Sequence, residues 1–293
     1  MPGKILVTGA LGNVGAEVAK HLQEAGYPFR AADRDVTRLR ERFGADVEAV
    51  AFDFTRKETY GPAFDGVEKM FLMRPPQIAN IQRDMVPALD AAKAAGVKQV
   101  VFLSLIGIER ARFVPHYKVE AYLRASGQAW TFLRCSFFMQ NLNTTHRTEI
   151  RERDEIFVPV GSARTSFIDV RDIAAVAAVA LTEPGHVRQA YDLTGSEALD
   201  YWQVAEIMSQ ILGRKITYRN PNPLTFLASH LRRGTPLTFA LVMTGLYLST
   251  RNGMAERVTG EVERLTGRRP IAFAQYVRDY RDAWCSPPGS ERH

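Results

Sequence analysis

Gly9, Gly12 and Gly15 stand at G-x-x-G-x-x-G spacing inside Lys4–Gly15, KILVTGALGNVG. The stretch reads as a short apolar strand, a tight turn and the opening of a helix. In that context the first glycine makes the turn, the second lets backbone approach a phosphate, and the third lets helix and strand pack closely. The helix start adds free N–H groups and the positive end of a dipole, both attractive to a pyrophosphate. Thr8, Gly9, Leu11, Gly12, Asn13, Val14 and Gly15 are therefore the candidate dinucleotide contacts. A glycine triplet alone also fits an empty strand-to-helix turn. The apolar strand before it and the periodic helix after it favour a bound nucleotide.

The elements that must position this turn alternate in type over Lys4–Arg134. Val14, Val18, Leu22 and Ala25 recur on one helical face, and Gly26 is placed to stop the helix. Short strands are expected at Pro28–Asp33, Val47–Phe52, Lys69–Met73, Gln99–Leu103 and Trp130–Leu133, with helices at Thr37–Phe43, Ile78–Ala95 and Pro115–Ser126. Such alternation predicts an α/β fold, a doubly wound parallel Rossmann sheet with helices on both faces. A smaller, mainly helical C-terminal substrate-binding part follows. The boundaries read as 1–134 for the NAD(P)-binding domain, 135–284 for the substrate part with 165–193 returning to the sheet, and 285–293 as a flexible tail. Within the second part, Phe137–Ile150 reads as helix, Thr165–Ile168 as strand, Val170–Leu181 as helix and Lys215–Arg219 as strand.

Ligands bind doubly wound sheets at the C-terminal strand ends, where strand order reverses. That rule gathers Thr8–Gly15, Asp33-Arg34, Asp53-Phe54, Met73–Pro76 and Ser104–Ile108 onto one surface. Asp33 ends the second strand, where an acid accepts from both adenosine ribose hydroxyls and repels a 2′-phosphate. It favours NAD(H), while Arg34 beside it argues for NADP(H). Asp53 is placed to accept from the adenine amino group, with Phe54 alongside. Met73 and Arg74 follow the fourth strand, where Arg74 can face phosphates or substrate. Ser104 ends the fifth strand near the nicotinamide.

Composition excludes several classes. Hydrophobic residues make up 46% and charged residues 24% of 293, enough for an ordinary globular core. The net charge of +6 comes from scattered Arg and Lys with no basic arm, so no nucleic-acid partner is expected. The apolar stretches Ile173–Leu181 and Leu237–Leu248 are too short to span a bilayer. Cys135 and Cys285 form no pattern, and the N-terminus runs straight into the first strand, which predicts a cytoplasmic protein without a leader. The six histidines are dispersed, so no metal site is expected. The helix Leu237–Leu248 is apolar nearly all round and is either buried, a lid or a partner surface, so a homodimer is possible.

The chain resembles the NmrA-like group of atypical short-chain dehydrogenases. The matching stretches are ILVTGALGNVG (5–15), Asp53-Phe54-Thr55, HYKVEAYLRASGQAWTFLR (116–134), FFMQNL (137–142) and TSFIDVRDIAAVAA (165–178). They continue through YDLTGSEALDYWQVAEIMSQILGRKITY (191–218) and VERLTGRRP (262–270). The resemblance implies NAD(P)H binding and a function among quinone reductases, triphenylmethane dye reductases or nucleotide-sensing regulators. Short-chain dehydrogenases use Tyr-x-x-x-Lys, with Tyr as acid and Lys lowering its pKa. Counting back from Glu120, the Lys place falls on His116 and the Tyr place on Arg112. Tyr117 and Lys118 are adjacent and diverge on a helix.

Without that acid, a good hydride acceptor is the expected substrate: a quinone, an iminium or cationic dye, or a conjugated enone. Hydride transfer then mainly requires orientation against the nicotinamide and exclusion of water. His116, with an ordinary pKa of about 6.5, and Tyr117 are the candidate catalytic residues. Phe137, Phe138 and Met139 are the candidate substrate contacts. A redox sensor that binds NAD(P) without turnover fits the missing pair equally well. A non-redox lyase or isomerase is a third class.

Overall fold

The computed structural model describes residues 3–285; the predicted tail beyond Cys285 lies outside the described residues. In chain order the elements begin β1 (Lys4–Thr8), α1 (Asn13–Glu24), β2 (Phe29–Asp33), α2 (Val36–Phe43), β3 (Glu48–Ala51) and α3 (Tyr60–Phe64). They continue β4 (Val67–Leu72), α4 (Ile81–Asp84), α5 (Val86–Ala94), β5 (Gln99–Leu105), α6 (Pro115–Ala125) and β6 (Ala129–Cys135). Then come α7 (Arg147–Arg153), β7 (Glu155–Ile156), α8 (Val170–Thr182), β8 (Gln189–Leu193), α9 (Tyr201–Leu212) and β9 (Thr217–Tyr218). The last helices are α10 (Pro223–Arg232), α11 (Leu237–Arg251), α12 (Glu261–Thr266) and α13 (Phe273–Asp279).

The chain divides into two compact units. The first comprises the chain as far as Cys135 together with Val170–Leu193 and Glu261–Arg268. Its sheet has seven parallel strands in the order β3-β2-β1-β4-β5-β6-β8. The order reverses between β1 and β4, which creates the crevice where such sheets take ligands. Both faces are covered, so the middles of β1 and β5 are continuous apolar runs. On one of those faces α1 packs against α8. The second unit comprises Ser136–Asp169, Thr194–Gly260 and the chain from Arg269 on. Its core is built from Met139, Ile150, Tyr201, Phe226, Phe273, Tyr276 and Trp284, and its one small sheet pairs β7 with β9 in parallel.

Four expected elements differ. The single helix over Ile78–Ala95 is two, α4 and α5, because Pro87 lies in the first turn of α5. Proline has no N–H to continue the ladder and its ring clashes with the preceding turn. Phe137–Ile150 is not one helix. The amide of Met139 bonds Ile168 at 2.9 Å and Ile168 returns the bond to Phe137 at 2.9 Å, so this backbone is committed to pairing. Thr165–Ile168 is not a strand either, because its residues bond different segments. Thr165 pairs with Leu199, Ser166 donates to Ala255 and Ile168 pairs with Phe138. Lys215–Arg219 shortens to the two residues of β9.

The glycine turn is tightly packed. A β-carbon at Gly15 would lie 2.2 Å from the carbonyl oxygen of Gly9. In an open helix Gly→Ala stabilises by about 1 kcal/mol. Here the sign reverses: Gly15→Ala is expected to destabilise by roughly 2 kcal/mol or more. Urea unfolding of the variant checks this, and a midpoint equal to or above wild type would contradict it.

Candidate functional site

The cradle for a pyrophosphate is assembled from backbone. Gly9 adopts φ +63°, a conformation that side chains disfavour, and Gly12 donates back to the Gly9 carbonyl at 2.9 Å. Gly12 is also the N-cap residue of α1, so no side chain satisfies the amides of the first turn, and that turn carries no acid. Its dipole is therefore free for an external anion. Asn13 is exposed, whereas Val14 is buried and anchors the helix. Thr8, also buried, donates to the carbonyl of Phe71 at 3.0 Å and accepts from the amide of Met73 at 2.9 Å. This pins the ends of β1 and β4 together. A β-carbon at Gly9 would strike the Met73 methyl at 2.1 Å, so Met73 covers the turn.

Beside this turn lies an open cleft of about 680 Å³ lined by Leu11, Asp33, Arg34, Asp35, Val36, Thr37 and Arg38. Asp33 accepts from the amides of Leu11 (3.3 Å) and Arg34 (2.8 Å), which fixes its carboxylate at the cleft. Arg34, Thr37 and Arg38 are exposed around it. An acid and two arginines thus share one cleft. Asp53 accepts from the Thr55 amide at 2.9 Å and hydroxyl at 2.7 Å. Burial opposes its ionisation, but those donors and the charges of Arg34 and Arg56 outweigh it and hold its carboxyl below the usual range. Phe54 has another place than the one expected. Its ring is buried against Phe52 (4.7 Å) in the core, because β3 ends there and the ring turns inward.

Ser104 is also reassigned. It is fully buried and donates to Glu120 at 2.7 Å. Arg134 grips the same carboxylate through Nε (3.1 Å) and a terminal nitrogen (2.8 Å). A carboxylate held this way ties α6 to β5 and β6, and the Ser104 hydroxyl is committed to it.

At the C-terminal strand ends, Arg74 donates to the carbonyls of Pro75 (2.9 Å), Pro76 (3.3 Å) and Ile78 (2.5 Å), which shapes the loop before α4. Its Nε is buried with no protein partner. Burial lowers its pKa to about 10, so it stays cationic near neutrality. His116 lies in the first turn of α6 with its ring 5.9 Å from Phe102. The residue is half-buried overall, but its Nδ1 is fully buried and unpartnered. Burial, with the Arg74 charge adding to it, pushes the imidazole down to about 3. His116 is therefore a neutral donor or acceptor, and the imidazolium acid suggested by its ordinary pKa does not form. Tyr117 is half-buried, with the Arg112 guanidinium 6.0 Å from its ring centroid.

In the second unit Phe137 and Phe138 are half-buried and Met139 is buried. Phe137 stacks on Tyr247 at 5.9 Å with rings inclined 26°. The Tyr247 hydroxyl lies 2.5 Å from Nε2 of His146. Sequence reasoning passed over His146 and Tyr247, which are far apart in the chain and carry no short-range motif. Among the described residues no group of His, Cys, Asp and Glu could hold a metal ion, and no helix is long and apolar enough to cross a membrane.

These features agree with what the chain is similar to. A model of the NmrA-like family matches residues 1–256. The NAD(P)H azoreductase of Xenophilus azovorans is 37% identical over 96% of this chain and 99% of its own. The (4-alkanoyl-5-oxo-2,5-dihydrofuran-3-yl)methyl phosphate reductase of Streptomyces griseus is 32% identical, covering 96% and 99%. Among solved structures, the NADPH-dependent quinone oxidoreductase QOR2 of Escherichia coli, complexed with NADPH, superposes with a TM-score of 0.83 at 24% identity. That match covers 94% of this chain and 99% of the other. With its glycine turn, its seven-stranded sheet and this match over most of its length, the chain belongs to the NmrA-like family.

Proposed function

We infer that the protein is an NAD(P)H-dependent reductase that passes hydride to a small, planar, electron-poor acceptor such as a quinone, an azo or cationic dye, an iminium or an enone. The observation that carries this reading is a complete dinucleotide cradle combined with Arg112 and His116 at the places of the Tyr/Lys acid pair. Acceptors of this class take hydride without a strong acid, because the negative charge they gain is delocalised or neutralises a cation. Orientation against the nicotinamide and exclusion of water then supply most of the acceleration. The azoreductase and furanone reductase relatives act on acceptors of this kind by name.

The first unit holds the cofactor and the second recognises the acceptor. Asp33 favours NADH, while Arg34 and Arg38 in the same cleft allow NADPH as well. Of the first-unit residues, Gly9, Leu11, Gly12, Asn13 and Gly15 face the pyrophosphate, with Asp53 toward the adenine. Arg74 and His116 offer a cation and a neutral hydrogen-bonding group near the reacting end. Tyr117 contributes a polar edge. Phe137, Phe138 and Met139 shape the acceptor surface. The reading extends to a cytoplasmic enzyme with no nucleic-acid partner. It assembles as a homodimer that covers the exposed Leu237, Phe239, Leu241 and Val242 of α11.

Purified protein given NADH or NADPH with a quinone, an azo dye and an enone is expected to oxidise the cofactor well above background. Tight cofactor binding without turnover would instead identify a sensor, and product formation without net cofactor loss would identify an isomerase or lyase. Asp33→Ala is expected to raise the NADPH-to-NADH ratio of kcat/KM by about tenfold, roughly 1.4 kcal/mol. An unchanged ratio would remove Asp33 from the ribose. The neutral state of His116 has its own signature. Its folded pKa, about 3, lies below the unfolded value of about 6.5. The unfolded chain therefore binds the extra proton first, and stability falls as pH drops from 6.5 toward 3. His116→Gln is expected to flatten that fall, as read by urea unfolding between pH 7 and pH 5. An equal slope in variant and wild type would refute the neutral assignment.

A further inference from the structure

The hydrogen bonds around Tyr247 leave one proton without an acceptor. Tyr247 carries one O–H. His146, 1% exposed, is held neutral. Burial lowers its pKa to about 4, with His230 and Arg233 adding to the effect and Glu149 opposing it. A neutral imidazole carries one N–H. Two protons thus meet one contact, Tyr247 to His146 Nε2. Nδ1 of His146 is buried with no partner, and Glu149 is engaged by Arg233. If the imidazole proton sits on Nδ1, a buried donor is bare. If it sits on Nε2, the Tyr247 oxygen accepts it and the phenol's own proton has no taker. The second arrangement leaves only an acceptor lone pair unmet on the histidine, and it becomes complete once a ligand presents an acceptor atom to Tyr247.

The surroundings define that ligand. Phe137 stacks on the Tyr247 ring and keeps part of its own ring exposed, while Phe226 meets Tyr247 edge-on at 5.5 Å and 84°. Flat aromatic walls with a neutral donor suit a planar, uncharged molecule carrying a hydrogen-bond acceptor. We propose that the second unit binds the hydride acceptor against Phe137 and Tyr247, with the Tyr247 hydroxyl donating to its carbonyl oxygen or azo nitrogen. This deepens the reductase reading and rests on it. Burial, with Glu149 adding to it, keeps the phenol protonated, so Tyr247 is a donor at any working pH. His146 acts through it, as a positioning residue.

The test is binding rather than turnover. The full chain, saturated with NADP⁺ so that no reaction occurs, is titrated with 2-methyl-1,4-naphthoquinone and with 2-methylnaphthalene, which has the same outline and no acceptor atom. Tyr247→Phe keeps the stacked ring. It is expected to bind the hydrocarbon as wild type does and the quinone about five- to tenfold more weakly, the value of one neutral hydrogen bond. His146→Gln is expected to weaken quinone binding selectively by a smaller factor, because Gln can still support the phenol oxygen. Equal quinone affinity in wild type and Tyr247→Phe overturns the proposal, as does an equal loss for both ligands or no quinone binding by wild type. A selective quinone loss in Tyr247→Phe supports the site even if wild type reduces nothing with NADPH, and that last result would remove the reductase reading alone.

Discussion

The close approach of Gly15 to the Gly9 carbonyl is the constraint on which the first unit depends. It seats the start of α1 directly on the turn after β1, so the amides of that first turn converge on one point. The seating is held from below by Val14, Val18 and Leu22, all buried, and by α8 packed along α1. Thr8 extends the constraint sideways by joining the ends of β1 and β4. The anion cradle is thus a by-product of core packing. Any side chain that separates helix from turn would dissolve both together.

Burial then sorts the titratable groups. Asp33 lies at the rim of the nucleotide cleft, and Asp53, nearby in the sheet order, is held in its ionised form by Thr55 and the neighbouring arginines. Two deeper imidazoles lose charge: His116 and His146 are both driven well below the ordinary imidazole value, chiefly by desolvation. Beside the neutral His116 the Arg74 guanidinium keeps its charge, so the two neighbours differ in what they offer.

Much of this was legible in the sequence because it obeys local rules. The glycine spacing, the acid at the end of β2 and the alternation of strands with helices each depend on residues close in the chain. What was not legible depends on distant partners. Ser104 reads as a loop hydroxyl until Glu120 and Arg134 meet it from α6 and β6. Phe54 reads as an adenine neighbour until Phe52 and Phe64 are seen around it. The backbone of Phe137–Met139 looks helical until Ile168 takes its hydrogen bonds. The pairing of His146 with Tyr247 spans 101 positions, and neither helix periodicity nor motif spacing carries information over that distance.

The loss of the Tyr/Lys pair is best understood through α6 itself. Glu120 fixes this helix by holding Ser104 and Arg134, so the helix keeps its place whatever stands one turn earlier. At that earlier position a lysine would have to keep a positive charge beside the partly buried Arg74 cation, against both desolvation and repulsion. An imidazole avoids the conflict by staying neutral, and the Arg74 charge itself favours that state. The cation next to this position is thereby carried by the loop and not by the helix. Arg74 is anchored there by three carbonyls, while His116 keeps a hydrogen-bonding edge without charge. That exchange keeps the cofactor cradle intact and removes the lysine that would lower the pKa of a tyrosine acid. The proposed acceptors, which need little acid help, suit such a site.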